Sequence, residues 1–408
     1  MNPEQVIAQN ETAAVELLRT LCAIPAPSHR EERRAEFCKN WFEAHGAEGV
    51  FIDEALNVIW PYHAENAEKV HVFMAHTDTV FPDMEPMPMV ESDGKMYCPG
   101  VGDDTANVVL LMLTAAQIAQ TKPETADGIV IALNSCEEGL GNLKGCRALM
   151  ARYGDRAADV ISFDGYMEGV CSAAVGSLRW KVTVRTAGGH SYAAFGNPNA
   201  IERLGAIVQA LYACKLPEDG SRTTFNVGVM EGGTSVNTIA QEAHMLFEFR
   251  SDDLDSLLAA KAFFEETITA FRETGLCVET ELLGERPCGK KENNDPRQAA
   301  LLARLADSVE NRTGKAPGFH AGSTDCNIPL SMGIPAAAVG LCSGGGAHTR
   351  EEWIETNSLK AGLGIAMDLI SAHFLPKTEC EEKRLCQVIR WAEPQKISAA
   401  KCRRSCAN

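Results

Sequence analysis

Three segments of this chain run apolar and then break abruptly into acid or histidine. The stretch 71–75 ends at His76, Thr77 and Asp78; 129–133 (IVIAL) gives way to NSCEEGLGN; 159–163 ends at Asp164-Gly165. Continuous apolar runs of this length predict strands covered on both faces. Between them the spacing turns helical, with an apolar body at 108–118 and a second helix at 143–153. Strand–helix alternation predicts an α/β fold: a mainly parallel sheet flanked by helices. In open sheets of this kind, active sites form beyond the carboxyl ends of the strands. Those ends are where the acids and the histidine stand.

The flanking pattern is consistent with that sheet. Helices are expected at 11–23, stopped by the Pro-rich AIPAPS, and at 30–45, with Glu31 and Glu32 in the first turn and Gly46 as the stop. Short strands are expected at 49–52 and 57–60. After Gly169 the character changes. Residues 177–185 (SLRWKVTVR) alternate as an amphipathic strand, and GGHSYAAFGNPNAI leads into a helix to about 213, with Asn197 as N-cap and Pro198 at its first position. Strands at 223–230 and 243–250, a helix at 254–272 and a strand at 276–283 complete an α+β unit. Helix 296–312, strand 336–339, the Gly-rich CSGGGAHTREEWIE and a closing helix at 359–374 return to the first pattern. The expected division is therefore a first domain made of 1–172 and 289–376, an inserted unit at 173–288, and a tail at 377–408.

Composition narrows the class. With 408 residues the chain is too long for one ordinary core. A net charge of -17 argues against nucleic acid or an anionic membrane as partner. No apolar run approaches the roughly 18 residues of a membrane span, and MNPEQVIAQNETAAVELL lacks the basic start and apolar core of a signal peptide. Fifteen cysteines without a CxxC pair read as reduced thiols of a cytoplasmic protein. The tail is basic and carries four of them; it reads as a passive extension, with a partner contact as the alternative.

The candidates for chemistry are His76, Asp78, Asp103, Glu137, Glu138, Asp164 and His348. Asp78 stands two residues after His76 in extended chain, on the same side, where it can hold the imidazole in one tautomer. Asp103 and Asp104 open a helix, where one of them could serve the helix dipole alone. Glu137 and Glu138 lie between an apolar strand and a Gly turn. Imidazole and carboxylate without thiolate suit zinc or a similar divalent ion at a hydrolytic site. Two such ions with a bridging carboxylate acidify water and offset an oxyanion, while a separate carboxylate moves the proton. Cys98 and Cys136, beside these residues, read as inert buried thiols; His71, His244 and His373, near apolar runs, read as structural.

The segments AHTDTVFP, GVGDDTANVVLLMLTA, NSCEEGLGN, GGHSYAAFGNPNAI, GGTSVNTIA, STDCN and GGGAHTREEWI, in this order, resemble the co-catalytic zinc amidohydrolases that include peptidase T, aminoacylase, carboxypeptidase G and succinyl-diaminopimelate desuccinylase. The resemblance spans 11–374. It implies that His76 and Asp164 bind one metal, Glu138 and His348 the other, and that Asp103 bridges them. It further implies that Asp78 orients His76 and that Glu137 is the general base. Asp104 is left as a helix-start neighbour. The inserted unit would be a lid and dimerisation domain of a homodimer, its His190 reaching a substrate carbonyl in the partner's site. Asn237 and Arg250 match substrate-binding positions. The cofactors implied are two divalent ions, zinc first, with manganese or cobalt as substitutes. Relatives often carry lysine after the aspartate pair, where this chain has Thr105. Aspartate at 164 goes, in such relatives, with small-peptide hydrolysis; N-acyl amino acid deacylation or carboxypeptidase action is the alternative. A binding protein without catalysis would be expected to have lost the base or a ligand, and every position is filled.

Overall fold

The computed structural model describes residues 3–216, 220–289 and 295–376. Its large sheet has eight strands, in the order Phe51–Ile52, Val58–Tyr62, Gly128–Asn134, Val70–His76, Ala157–Ser162, Ala336–Val339, Gly169–Ala174 and Gly318–Gly322. The four central strands, Gly128–Asn134 through Ala336–Val339, are parallel. Val70–His76 and Gly128–Asn134 are buried along their whole length, as their unbroken apolar runs predict.

The central strands divide their side chains between two cores, because successive residues point to opposite faces. Phe73, Ala75, Ile129 and Ile131 enter one core with Leu18, Leu110, Leu305 and Ile365 from four helices: Pro3–Cys22, Ala106–Thr121, Pro296–Thr313 and Ser358–Ser371. Val72, Met74, Val130 and Ala132 enter the other, with Leu149 of Lys144–Tyr153 and Leu330 of Asn327–Met332. The closing helix crosses close to its neighbours at Gly362, where a Cβ would meet the Leu341 carbonyl and Leu110.

A second, antiparallel sheet runs in the order Thr223–Gly232, Glu242–Ser251, Gly176–Arg185, Cys277–Arg286. The helices Ala200–Leu211 and Leu254–Glu273 contribute Leu204, Ile207, Phe264 and Ile268 to its core with Trp180, Val182, Phe247 and Phe249. The Trp180 and Phe264 rings stack at 4.2 Å. The chain leaves the large sheet at Ala174 and enters this one at Gly176, where a Cβ would come 2.7 Å from Leu257 and 2.9 Å from the Cys288 nitrogen. Outgoing and returning chain thus touch at that glycine.

Three local expectations are corrected. The first helix begins at Pro3, not at 11. The helix after the GGHSY segment starts at Ala200 with Asn199 as its N-cap, whose side chain accepts the Ile201 N–H. Asn197 stands three residues ahead of that helix, and its amide donates to the Gly188 carbonyl, holding the preceding loop. Asp104 does stand in the turn that opens the helix, but its carboxylate does not serve the helix start; it is fully buried and accepts the N–H of His76 at the end of the neighbouring strand. Among the described residues no helix is long and apolar enough to cross a membrane. The basic tail, 377–408, lies outside them.

Candidate metal centre

Strand register sets the site. His76 pairs with Asn134 and Met74 with Ser162, so three parallel strands end side by side. Their continuations, carrying Asp78, Glu137, Glu138 and Asp164, emerge at the same edge. The His76 Nδ1 lies 3.1 Å from the Asp78 carbonyl oxygen and 3.4 Å from its carboxylate. Asp78 is wholly buried and does more than face the ring. Its carboxylate accepts the Ser28 hydroxyl at 2.6 Å and the backbone N–H groups of Glu137 at 2.9 Å and Glu138 at 3.0 Å. One side chain therefore fixes the turn of the acid pair against the histidine.

Asp103 reaches the same edge from a wide turn, Val101–Thr105, ahead of the helix Ala106–Thr121. A cis peptide joins it to Asp104. The Asp104 carboxylate accepts the His76 N–H at 2.8 Å and the Asn107 amide. The turn itself is organised by Glu352, whose buried carboxylate accepts three backbone N–H groups: Gly100 at 2.7 Å, Gly102 at 2.8 Å and Asp103 at 2.8 Å. Gly102 packs too closely for a side chain, since a Cβ there would stand 2.7 Å from Tyr166. A small sheet in which Trp353–Glu355 pairs with Lys95–Tyr97 brings Glu352 and His348 here from far downstream.

Asp103 then stands between two imidazoles. One oxygen is 3.1 Å from His76 Nε2 and the other 3.2 Å from His348 Nε2. His348, in the left-handed backbone region at φ 65°, is also 3.2 Å from Glu138 Oε1. Donor atoms held about 2.0–2.1 Å from one tetrahedral ion sit about 3.3 Å apart, so these separations suit a shared cation. Two donor groups overlap at Asp103: His76, Asp103, Asp104 and Asp164 on one side, and Asp103, Glu138 and His348 on the other. Asp104 is already committed to hydrogen bonds with the His76 N–H and the Asn107 amide.

The electrostatics point the same way. Burial raises Asp164 to about 7, with Asp103, Asp325 and Glu138 adding to the rise, and burial lifts Asp104 and Glu137 well above the carboxylate range. Asp103 goes the other way: burial opposes ionisation, but contacts to His348 and His76 hold it below its ordinary value. His348 is raised to about 10 by Asp103 and Glu138. Carboxylates crowd this edge, and cations held there would offset their mutual repulsion. Glu138 Oε1 is buried and faces His348 Nε2 at 3.2 Å without a well-directed hydrogen bond. The residues fit two divalent ions of the zinc class.

Two neighbours carry no signal in the apolar pattern. Glu352 follows His348 by four residues, inside a motif noted for its histidine alone. Arg286, the last residue of Cys277–Arg286, is buried against Glu137 with Nη1 3.0 Å from Oε1, and also donates to the Glu137 and Ser323 carbonyls. The second sheet thus hands a guanidinium to the acid pair of the first. Asp325, in STDCN, is buried too, accepts the Asn134 amide at 2.6 Å and is raised by burial to about 6.

His190, Asn237 and Arg250 do not belong to these donor groups. His190 is exposed, and its loop is tied to Asn237 by the Ser191 N–H to Asn237 carbonyl bond at 3.0 Å. Arg250 pairs with Glu248 at 3.0 Å.

The family profile described as Peptidase family M20/M25/M40 matches residues 72–372, which include all the donors above. The chain belongs to this family. A succinyl-diaminopimelate desuccinylase from Corynebacterium glutamicum is 27% identical over 349 residues, covering 82% of this chain and 90% of its own. A tripeptidase structure from Staphylococcus aureus superposes with a TM-score of 0.71 at 21% identity, covering 89% of this M20-family chain and 99% of its own. A dinuclear metal binding peptidase of the M20 family from Bacillus subtilis does so at 0.60 and 16%, covering 90% and 100%. The architecture of this chain is that of the M20 metallohydrolases.

Proposed function

We propose that the protein is a dinuclear zinc hydrolase that cleaves an amide bond of a small peptide, as a di- or tripeptidase or an aminopeptidase. The observation that carries this is Asp103, set between His76 and His348 with one carboxylate oxygen toward each. His76 and Asp164 would hold the first ion and Glu138 and His348 the second, with Asp103 available to both. When bound, the ions supply electrophilic charge for the amide carbonyl and for water. Glu137 takes a proton from the attacking water and returns it to the leaving amine. Asp78 keeps His76 and the acid pair in register. Residues 173–288 act as a lid and dimerisation domain of a homodimer, with His190 donating to the substrate oxyanion of the partner's site and Asn237 and Arg250 contacting substrate. The protein works in the cytoplasm.

A second reading is N-acyl amino acid deacylation, supported by the desuccinylase among its relatives. A metal-loaded screen of di- and tripeptides against N-acetyl- and N-succinyl-amino acids decides. Turnover of the peptides is expected; turnover of acyl amino acids alone replaces the first reading with the second.

A further inference from the structure

The strand that ends in His76 carries another histidine at its second position. His71 stands five residues earlier, about 16 Å away along extended chain, at the amino edge of the large sheet. Its register partner on the neighbouring strand is Asp159, and His71 Nδ1 lies 2.8 Å from Asp159 Oδ1. The other Asp159 oxygen is taken by Arg304 at 3.0 Å, so the free oxygen faces the histidine. His373, two residues past the closing helix Ser358–Ser371, lays its ring on His71 with centroids 3.6 Å apart. The His373 Nε2 is buried and without a hydrogen-bond partner. One ligand atom from each of His71, Asp159 and His373 lies within 4.8 Å of the others. Asp127 adds a carboxylate oxygen 3.4 Å from His71 Nε2, on the more exposed side of the cluster.

A stacked histidine pair with an orphaned ring nitrogen and two carboxylates is a costly way to build a core, because a buried polar atom loses its water without replacement. The same groups make chemical sense around a cation. Two imidazoles and a carboxylate suit zinc-class ions, whereas calcium and magnesium call for oxygen donors.

We propose that His71, Asp159 and His373 form a third divalent metal site, selective for zinc-class ions, which clamps the end of the closing helix to the amino edge of the large sheet. The ion takes the place of the proton shared by His71 and Asp159, and a turn of the His373 side chain brings its free nitrogen to it. Asp127 and water complete the shell. The His71 and Asp159 side chains are largely enclosed, and the role assigned to the ion is structural.

The test is metal counting on tag-free protein, stripped with chelator, reloaded with Zn²⁺ and freed of excess. The expected content is three zinc per chain in the wild type and two in His373→Ala and Asp159→Asn. His373→Gln, closer in size, guards against loss of fold. Asp103→Asn isolates the new site from the hydrolytic pair: Zn²⁺ should still raise its melting temperature, and should cease to do so when His373→Gln is added. Wild-type protein that binds only two zinc, with neither affected by His373→Gln, overturns the proposal. A zinc lost with His373→Gln and retained in Asp103→Asn supports it even if the reading of the hydrolytic centre fails.

Discussion

The Glu352 carboxylate accepts the backbone N–H of Asp103 at 2.8 Å, and with Gly100 and Gly102 it closes the turn from which Asp103 reaches both histidines. Glu352 is not among the metal donors, yet it sets the backbone of the residue that lies between the two donor groups. Glutamine keeps one acceptor oxygen and brings an N–H₂ to face backbone donors. Loss of an outer partner of this kind typically costs about 10–100-fold in metal affinity. Glu352→Gln should therefore lower metal affinity by that order with the fold intact, as read by competition with a chromogenic chelator. An unchanged affinity would mean the turn holds its shape without the carboxylate.

The acid pair divides into two phenotypes. Glu137→Gln should lower turnover by about 10²–10⁴-fold, the usual contribution of a positioned base, while both metals remain by elemental analysis. Glu138→Gln should lose a metal, since its buried oxygen faces His348 at 3.2 Å. Exchanged phenotypes would reverse the two assignments.

Arg286 and Glu137 form a buried ion pair across the two sheets. Breaking such a pair by removing one partner typically costs about 3–5 kcal/mol. Arg286→Met should therefore destabilise the metal-free protein in urea, and Glu137→Gln added to it should restore much of the loss. The pH dependence has a definite sign. Burial raises Glu137 above its unfolded value, so the folded state holds the extra proton and stability falls as pH rises. Without Arg286 that rise grows, and the defect should be larger at pH 8 than at pH 5. A defect independent of pH and of Glu137 would assign Arg286 a packing role.

His190 lies in a short strand, Gly189–His190, paired with Thr238–Ile239, where it is exposed, and is proposed to serve the partner's site. Loss of an oxyanion donor typically costs about 2.7–4 kcal/mol of transition-state stabilisation. His190→Ala should depress kcat accordingly with metals retained. Mixed dimers of His190→Ala and Glu137→Gln subunits should recover activity, because one of their two sites holds both intact residues. Proven heterodimers that stay inactive would place His190 in its own chain's chemistry or outside it.

Chelation provides the simplest check on the centre as a whole. Dialysis against a strong chelator should abolish turnover, and Zn²⁺, Mn²⁺ or Co²⁺ should restore it. Turnover that survives proven removal of metal would rule out the dinuclear mechanism.

Much of this was written in the order of the residues. Apolar runs ending in acid or histidine reveal buried parallel strands and their functional edge, because a strand covered on both faces tolerates polar groups only where it stops. Two residues of extended chain were enough to set Asp78 beside His76. The tertiary structure alone decided how the edge is wired. Asp104 reads as a helix-start acid in sequence, but the wide turn buries it against the His76 backbone. Asn197 reads as a cap, but its amide is drawn to Gly188 and Asn199 takes the role. Glu352 and Arg286 act on residues 249 and 149 positions away, a separation that no local periodicity records. His71 and His373, read singly as structural histidines, become a candidate site only because the closing helix ends over the amino edge of the sheet. Periodicity is a property of neighbours in the chain, and it determines elements and faces. Hydrogen bonds between distant carboxylates, amides and guanidinium groups depend on where those elements finally meet.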